Sequence, residues 1–353
     1  KITEKGGIAS TIENVVVILN GDPALAGRVA LDQMANNIVA LDQLPWRSVK
    51  DSSQWVDSDD AALRYYLERT YGVTGKEKIF DAVNVVALQN AFHPVKDYLE
   101  SCTWDGVKRV ETLLVDYLGA DDNEYTRTVT RKVMAAAVAR IYRPGCKFDH
   151  MLTLRGAQGL GKSSFIGLLG GKWFSDTLTT VQGKEALEQL PGVWIMEVGE
   201  LAGMRKAEAE TIKLYISKQV DRFRPAYGRR LQEFPRQCIF VGTTNETQFL
   251  RDTTGNRRFW VVDTPDDPAK DMWEELTPET VALIWAEAVE MYKAGEPLYL
   301  SKELGRGRGA IQEGRGSVPA QRAGACGQRG PGDLRGGEPP RGHHRRLPRP
   351  PAA

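Results

Sequence analysis

Residues 151–163 read MLTLRGAQGLGKS. Residues 151–154 form an apolar run of strand length. The next stretch, Gly156-Ala157-Gln158-Gly159-Leu160-Gly161-Lys162-Ser163, fits G-x-x-x-x-G-K-[ST] at every fixed position. Each requirement has a physical reason. The glycines let the backbone curl into a nest whose N–H groups point at phosphate oxygens. Lys162 supplies a point charge for the β- and γ-phosphates of ATP. The Ser163 hydroxyl suits Mg²⁺, which takes hard oxygen ligands. A helix from Lys162 to about Leu169 would aim its positive end at the same anion. Lys162 itself reads as an exposed loop lysine that adds little to stability.

Working outward, the next apolar strand is Val193-Trp194-Ile195-Met196, which ends in Glu197 with Glu200 three residues on. An acid at a strand end opposite a phosphate loop suits the Mg²⁺ shell, and a second acid suits polarisation of the attacking water. Residues 205–218 predict an amphipathic helix buried through Ile212, Tyr215 and Ile216, with Lys213 on its solvated side. Residues 238–243 (CIFVGT) predict a further buried strand. Thr244 and Asn245 follow, and the amide of Asn245 is placed to contact the γ-phosphate or the water. In GNRRFWVVD (255–263), Arg257 and Arg258 precede another strand, where arginine can stabilise a transferring phosphoryl group in trans. A helix over 281–292 closes the region.

Between helix and strand lies DRFRPAYGRRLQEFPRQ (221–237). It predicts two short strands, residues 223–227 and 231–234, around Gly228 and Arg229. Arg222, Arg224, Arg229, Arg230 and Arg236 fall within it and Arg251 follows. Arg224, Arg229 and Arg230 beside Tyr227 suit phosphate contact and base stacking.

The remainder is less chemical. Residues 25–39, 61–71, 79–92 and 126–142 carry apolar side chains at helical spacing, which predicts a mainly helical domain over 1–148. His93 reads as a turn residue. Trp46, Trp55 and Trp104 read as packing residues, because no basic run interleaves them. Residues 149–304 form the nucleotide-binding domain. Residues 305–353 hold twelve Gly and seven Pro, a composition that cannot bury a core and predicts disorder, with a frameshifted end as the rival reading. That tail carries +7 of charge and leaves −6 for the rest of a chain whose net charge is +1. Any DNA affinity of the body must therefore come from a local basic site. The four cysteines form no C-x-x-C pair, which excludes a zinc ribbon or disulfide framework and fits free thiols in a reducing cytoplasm. No apolar run reaches the ~18 residues of a membrane span. The chain starts at Lys1 without Met, so a longer natural N-terminus is expected.

Four motifs in order, GAQGLGKSS (156–164), VWIMEVGEL (193–201), FVGTTN (240–245) and GNRRFWVVD (255–263), resemble the virulence-associated protein E family of phages and mobile elements. HPVKDYL (93–99), WDGVKR (104–109) and PGCKFDHML (144–152) extend the likeness, which covers about residues 10–300. The resemblance implies an α/β P-loop NTPase fold, AAA+-like and similar to superfamily 3 helicases, with a parallel sheet flanked by helices. It adds Ser164 to the nucleotide-binding set and implies a homo-oligomeric ring, hexameric in the family, acting with a primase or other replication proteins. In superfamily 3 a hairpin in the position of 221–237 enters the ring channel and grips single-stranded DNA. That hairpin usually carries Lys at its tip, where this chain has Gly228, Arg229 and Arg230. Superfamily 3 also has two adjacent acids at the strand end, where this chain has Glu197-Val198 and then Glu200.

The expected function is ATP-driven translocation on single-stranded DNA during replication, in the bacterial cytoplasm. Two alternatives stay open: an initiation or regulatory protein whose ATP binding only assembles it, and a small-molecule kinase using the same loop.

Overall fold

The computed structural model describes residues 1–4, 6–49, 53–199, 206–225, 230–246, 256–265, 267–301 and 304. The first unit comprises α1 (Ile12–Gly21), β1 (Val29–Asp32), β2 (Asn37–Ala40), β3 (Ser53–Gln54), α2 (Asp57–Tyr71) and α3 (Lys76–Gln89). It has its own apolar core, built from α1, α2, α3 and β1 around Leu19, Leu63, Leu67 and Val83. One expectation fails here. Residues 25–39 are not a helix: β1 and β2 pair antiparallel with Val29 opposite Ala40. The Asp32 carboxylate accepts from the backbone of Met34 and Ala35, and Asn36 adopts φ 52°. Asx-type bonding and a left-handed Asn offer the backbone a turn in place of a helix, and the apolar spacing alone could not register that competition. Trp46 and Trp55 pack edge to face and donate to Asp59 and Asp60, as packing residues should.

Next come α4 (Pro94–Ser101), α5 (Leu113–Leu118) and α6 (Glu124–Tyr142). His93 does more than end a turn: its ring nitrogen accepts from Lys96 N and so caps α4. The sheet follows: β4 (Met151–Arg155), α7 (Lys162–Gly170), β5 (Phe174–Ser175), α8 (Glu185–Glu188), β6 (Ile195–Val198), α9 (Lys206–Ser217), β7 (Val220–Phe223), β8 (Gln232–Pro235), β9 (Ile239–Thr244), β10 (Phe259–Asp263), α10 (Met272–Glu275) and α11 (Pro278–Lys293).

Five of these strands form a parallel sheet in the order β10-β4-β9-β6-β5. β4 is therefore interior, flanked by β10 and β9. Near-continuous apolar strands are what a sheet covered on both faces requires. Strand alternation divides their side chains cleanly. Leu152, Leu154, Ile195, Val241 and Trp260 join the core with α4–α7 and α11. Met151, Met196, Phe240, Phe259 and Val261 face the other way, against α8 and α9. Helix α6 is buried nearly all round, between the sheet and α11, and so is apolar on more than one side. Two indoles lock this layer. Trp194 and Trp285 pack with centroids 4.1 Å apart, and donate to Ala137 O and Leu169 O respectively.

Candidate functional site

β4 ends at Arg155, and the chain turns through 156–161 into α7. Gly159 and Gly161 have φ of 91° and 72°, so both need glycine. A Cβ on Gly156 would overlap Thr264, whose backbone N–H and hydroxyl both bond Arg155 O. Gly156 thus allows the close approach of two strand ends. Lys162 is not an exposed lysine. It is 9% accessible and donates to Gly156 O at 2.9 Å and Ala157 O at 2.6 Å. Burial pushes its ammonium below the usual lysine pKa, and the Glu197 carboxylate partly opposes this.

Ser163, in the first turn of α7, donates to Glu197 Oε1 at 2.7 Å. Thr243 of β9 donates to the same oxygen at 2.7 Å. Alternation explains the meeting: Glu197 shares strand parity with Ile195, and Thr243 with Val241, so both lie on the face that carries α7. Glu197 is 3% exposed, and its Oε2 is buried with no hydrogen-bond partner among the described residues. A buried carboxylate oxygen without a donor is costly unless a cation or another donor completes it. The donor set, two hydroxyls and a carboxylate, is hard oxygen and fits Mg²⁺. Among the described residues there is no cluster of three or more His, Cys, Asp or Glu able to hold a metal. A cation at Glu197 would thus complete its shell with phosphate oxygens and water, as Mg²⁺ usually does.

The loop, the β9 end and a later segment enclose a cleft of about 930 Å³ at the carboxyl ends of the strands. In open parallel sheets that is where ligands bind. Gln158, Gly159, Leu160, Gly161, Lys162, Ser163 and Ser164 line it on one side. Thr243, Thr244 and Asn245 form its floor, and the exposed Asn245 follows β9 as expected. Residues 268–273 also line it, with Met272 against Gly161 of the loop; sequence reading missed this segment, and the only local signal was Trp273 in a polar setting.

Other expected residues lie elsewhere. Arg257 and Arg258 sit in a 3₁₀ turn at the amino ends of the strands, where Phe259 pairs with Met151. That is a strand length, about 15 Å, from the loop of the same chain. Arg257 is exposed, whereas Arg258 is half-buried and donates to Ser217 Oγ at 2.8 Å. Glu200, Tyr227, Arg229 and Arg251 lie outside the described residues. Lys213 is not solvated: it is 2% exposed and ion-paired with Glu210 at 2.7 Å.

β7 and β8 form an antiparallel hairpin with Phe223 opposite Gln232, but its first strand is Val220–Phe223 rather than the expected 223–227, because Val220–Phe223 pairs in register with Gln232–Pro235. Its arginines divide. Arg236 is buried, forked onto Asp221 and stacked over Tyr215 and Phe240, so it is a structural residue. Arg222 pairs with Glu233 across the strands at 2.9 Å. Arg224 and Arg230 are exposed towards the tip and have no ion-pair partner among the described residues. No helix among the described residues is long and apolar enough to cross a membrane.

Comparison with known proteins gives one sequence-family match: residues 99–315 fit the model of the virulence-associated protein E-like domain. No curated protein matches the chain. Similar solved structures include the apo structure of NrS-1 C terminal region (305-718), at 16% identity and TM-score 0.43, covering 82% of this chain and 72% of that one. Two A form apo structures of the same region match at 18% and 17% identity with TM-scores of 0.43 and 0.46, and with the same coverage.

Proposed function

The chain belongs to the virulence-associated protein E-like domain family, and on that basis we propose that it is an ATPase that moves on single-stranded DNA during replication of a phage or mobile element. The observation that carries the ATPase reading is the convergence of Ser163 and Thr243 on one oxygen of Glu197, with the other oxygen buried and without a hydrogen-bond partner among the described residues, at the mouth of a glycine loop.

The residues divide the work as follows. Backbone N–H groups of 156–163 and the α7 amino end receive the phosphates. The Lys162 ammonium exchanges its two loop carbonyls for the β- and γ-phosphate oxygens. Ser163 and Glu197 hold Mg²⁺, which neutralises charge on those phosphates when bound. Asn245, with Glu200, orients the attacking water. Arg257 or Arg258 reaches the phosphate of a neighbouring copy in a ring, since neither can serve its own loop across the sheet. The hairpin 221–237 leads directly into β9, so a shift at Asn245 on loss of the γ-phosphate can reach the DNA-gripping arginines as a rigid-body movement.

The test is ATP turnover by the full chain, with and without single-stranded DNA. Turnover that rises with DNA and disappears in Lys162→Ala supports the reading. Turnover indifferent to DNA would remove the motor, and ATP binding without turnover would return the assembly-only alternative.

A further inference from the structure

The motor reading uses the loop and strand-end lining of the 930 Å³ cleft and leaves another part of its wall without a role. That part is the segment 268–273, between β10 and α11. It carries Trp273, 68% exposed. The chain has eight tryptophans, and the other seven are buried or half-buried. An open indole forgoes the burial that usually places tryptophan in a core. Its position in the lining of the cleft gives it a surface to offer.

The segment is fixed before any ligand arrives. The Lys270 backbone N–H donates to Asp116 O at 2.8 Å, and its ammonium to Asp116 Oδ2 at 3.0 Å, above the Tyr117 ring. Gly119, at the end of α5, comes so close that a Cβ there would lie 2.8 Å from Asp267 O. Asp271 accepts from Trp273 N at 2.8 Å and sets the turn that presents the indole. On the cleft side, Met272 reaches the loop: a Cβ on Gly161 would lie 2.6 Å from its Cε. Trp273 therefore stands one residue beyond the contact that closes the strap over the phosphate loop. The polar side chains beside it are engaged, Lys270 with Asp116 and Asp271 with the backbone. What the wall offers is an aromatic face.

We propose that Trp273 is the nucleobase platform of this cleft: the base of a nucleoside triphosphate stacks on its indole while the phosphates occupy the 156–163 loop. The assignment rests on the phosphate-binding reading of that loop. Stacking on one face is tolerant of base identity, because every base has a π-face. It favours the larger purine rings, so ATP and GTP bind with similar affinity and CTP binds more weakly.

The experiment is calorimetric titration of the full chain, the parent and the variants Trp273→Ala and Trp273→Phe, with ATP and with inorganic tripolyphosphate. The expected result is ATP affinity weakened about tenfold or more in Trp273→Ala, largely kept in Trp273→Phe, and equal tripolyphosphate affinity in all three. Equal ATP affinity in parent and Trp273→Ala overturns the platform and leaves the phosphate loop standing. Equal weakening of ATP and tripolyphosphate also overturns it, because the defect then lies with the phosphates. A parent that binds neither ligand removes the loop reading, and the platform with it.

Discussion

Ser163 and Glu197, 34 residues apart in the chain, are joined by a hydrogen bond of 2.7 Å between α7 and β6. β9 lies between β4 and β6 in the sheet, and its Thr243 donates to the same carboxylate oxygen. One acid thus ties three elements together at the point where the glycine loop opens, and its second oxygen is buried without a hydrogen-bond partner among the described residues.

Glu197→Gln should preserve the fold, because the amide oxygen still accepts from both hydroxyls. It should raise the Mg²⁺ concentration needed for half-maximal ATP turnover by roughly tenfold, since a neutral ligand replaces a charged one. Glu197→Ala should also lower the melting temperature, because it strands two hydroxyls at a cost of about 1–3 kcal/mol. Magnesium titrations of turnover, with melting curves alongside, check both.

Lys162→Ala should abolish turnover and ATP binding. The lysine is buried on two carbonyls, so the variant should also lose about 1 kcal/mol of stability. Turnover and chemical denaturation measured on the same preparation separate the two effects.

Nucleotide affinity should fall as pH rises on the alkaline side. The charged ammonium binds phosphate, and burial lowers its pKa from 10.5, so neutralisation begins at lower pH than for an ordinary lysine. Bound phosphate favours the charged form and shifts the transition of the complex upward. Lys162→Arg should flatten the alkaline fall, because guanidinium stays charged. ADP titrations across the neutral to alkaline range give the slope and its sign.

Arg257→Ala should lose turnover while keeping ATP binding, and Arg258→Ala should be the milder change, because Arg258 is already held by Ser217. Mixing Arg257→Ala with Lys162→Ala protein should restore part of the activity, as some interfaces in a mixed ring combine an intact loop with an intact arginine. No recovery on mixing would count against action in trans.

Arg224→Ala with Arg230→Ala should weaken single-stranded DNA binding and reduce its salt dependence by about two phosphate contacts. Basal turnover should remain and DNA stimulation should fall. Arg236→Ala should instead destabilise the fold by roughly 3–5 kcal/mol, since it leaves Asp221 buried and unpaired. Filter binding over a salt series, on chains ending at Leu304, isolates the hairpin from the arginine-rich tail.

The strand, glycine loop and helix of 151–170 were legible in the sequence because their signals are local: apolar spacing, the positive-φ demands of Gly159 and Gly161, and a lysine and serine at fixed offsets. The strands that carry Glu197 and Thr243 were legible for the same reason, whereas the first strand of the hairpin lies at Val220–Phe223, ahead of the 223–227 that the residues suggested. Tertiary structure alone decided which face each strand residue joined, and so that Glu197, Thr243 and Ser163 would meet. It alone divided the arginines, burying Arg236 on Asp221 and leaving Arg224 and Arg230 exposed, since composition counts charge but not burial. It turned residues 29–40 into a hairpin, where side-chain bonding by Asp32 outweighed helical spacing. It also brought 268–273 over Gly161, because the anchors of that segment are Asp116 and Gly119, about 150 residues earlier in the chain. Contacts of that separation depend on how the chain packs, and no local pattern of residue types encodes them.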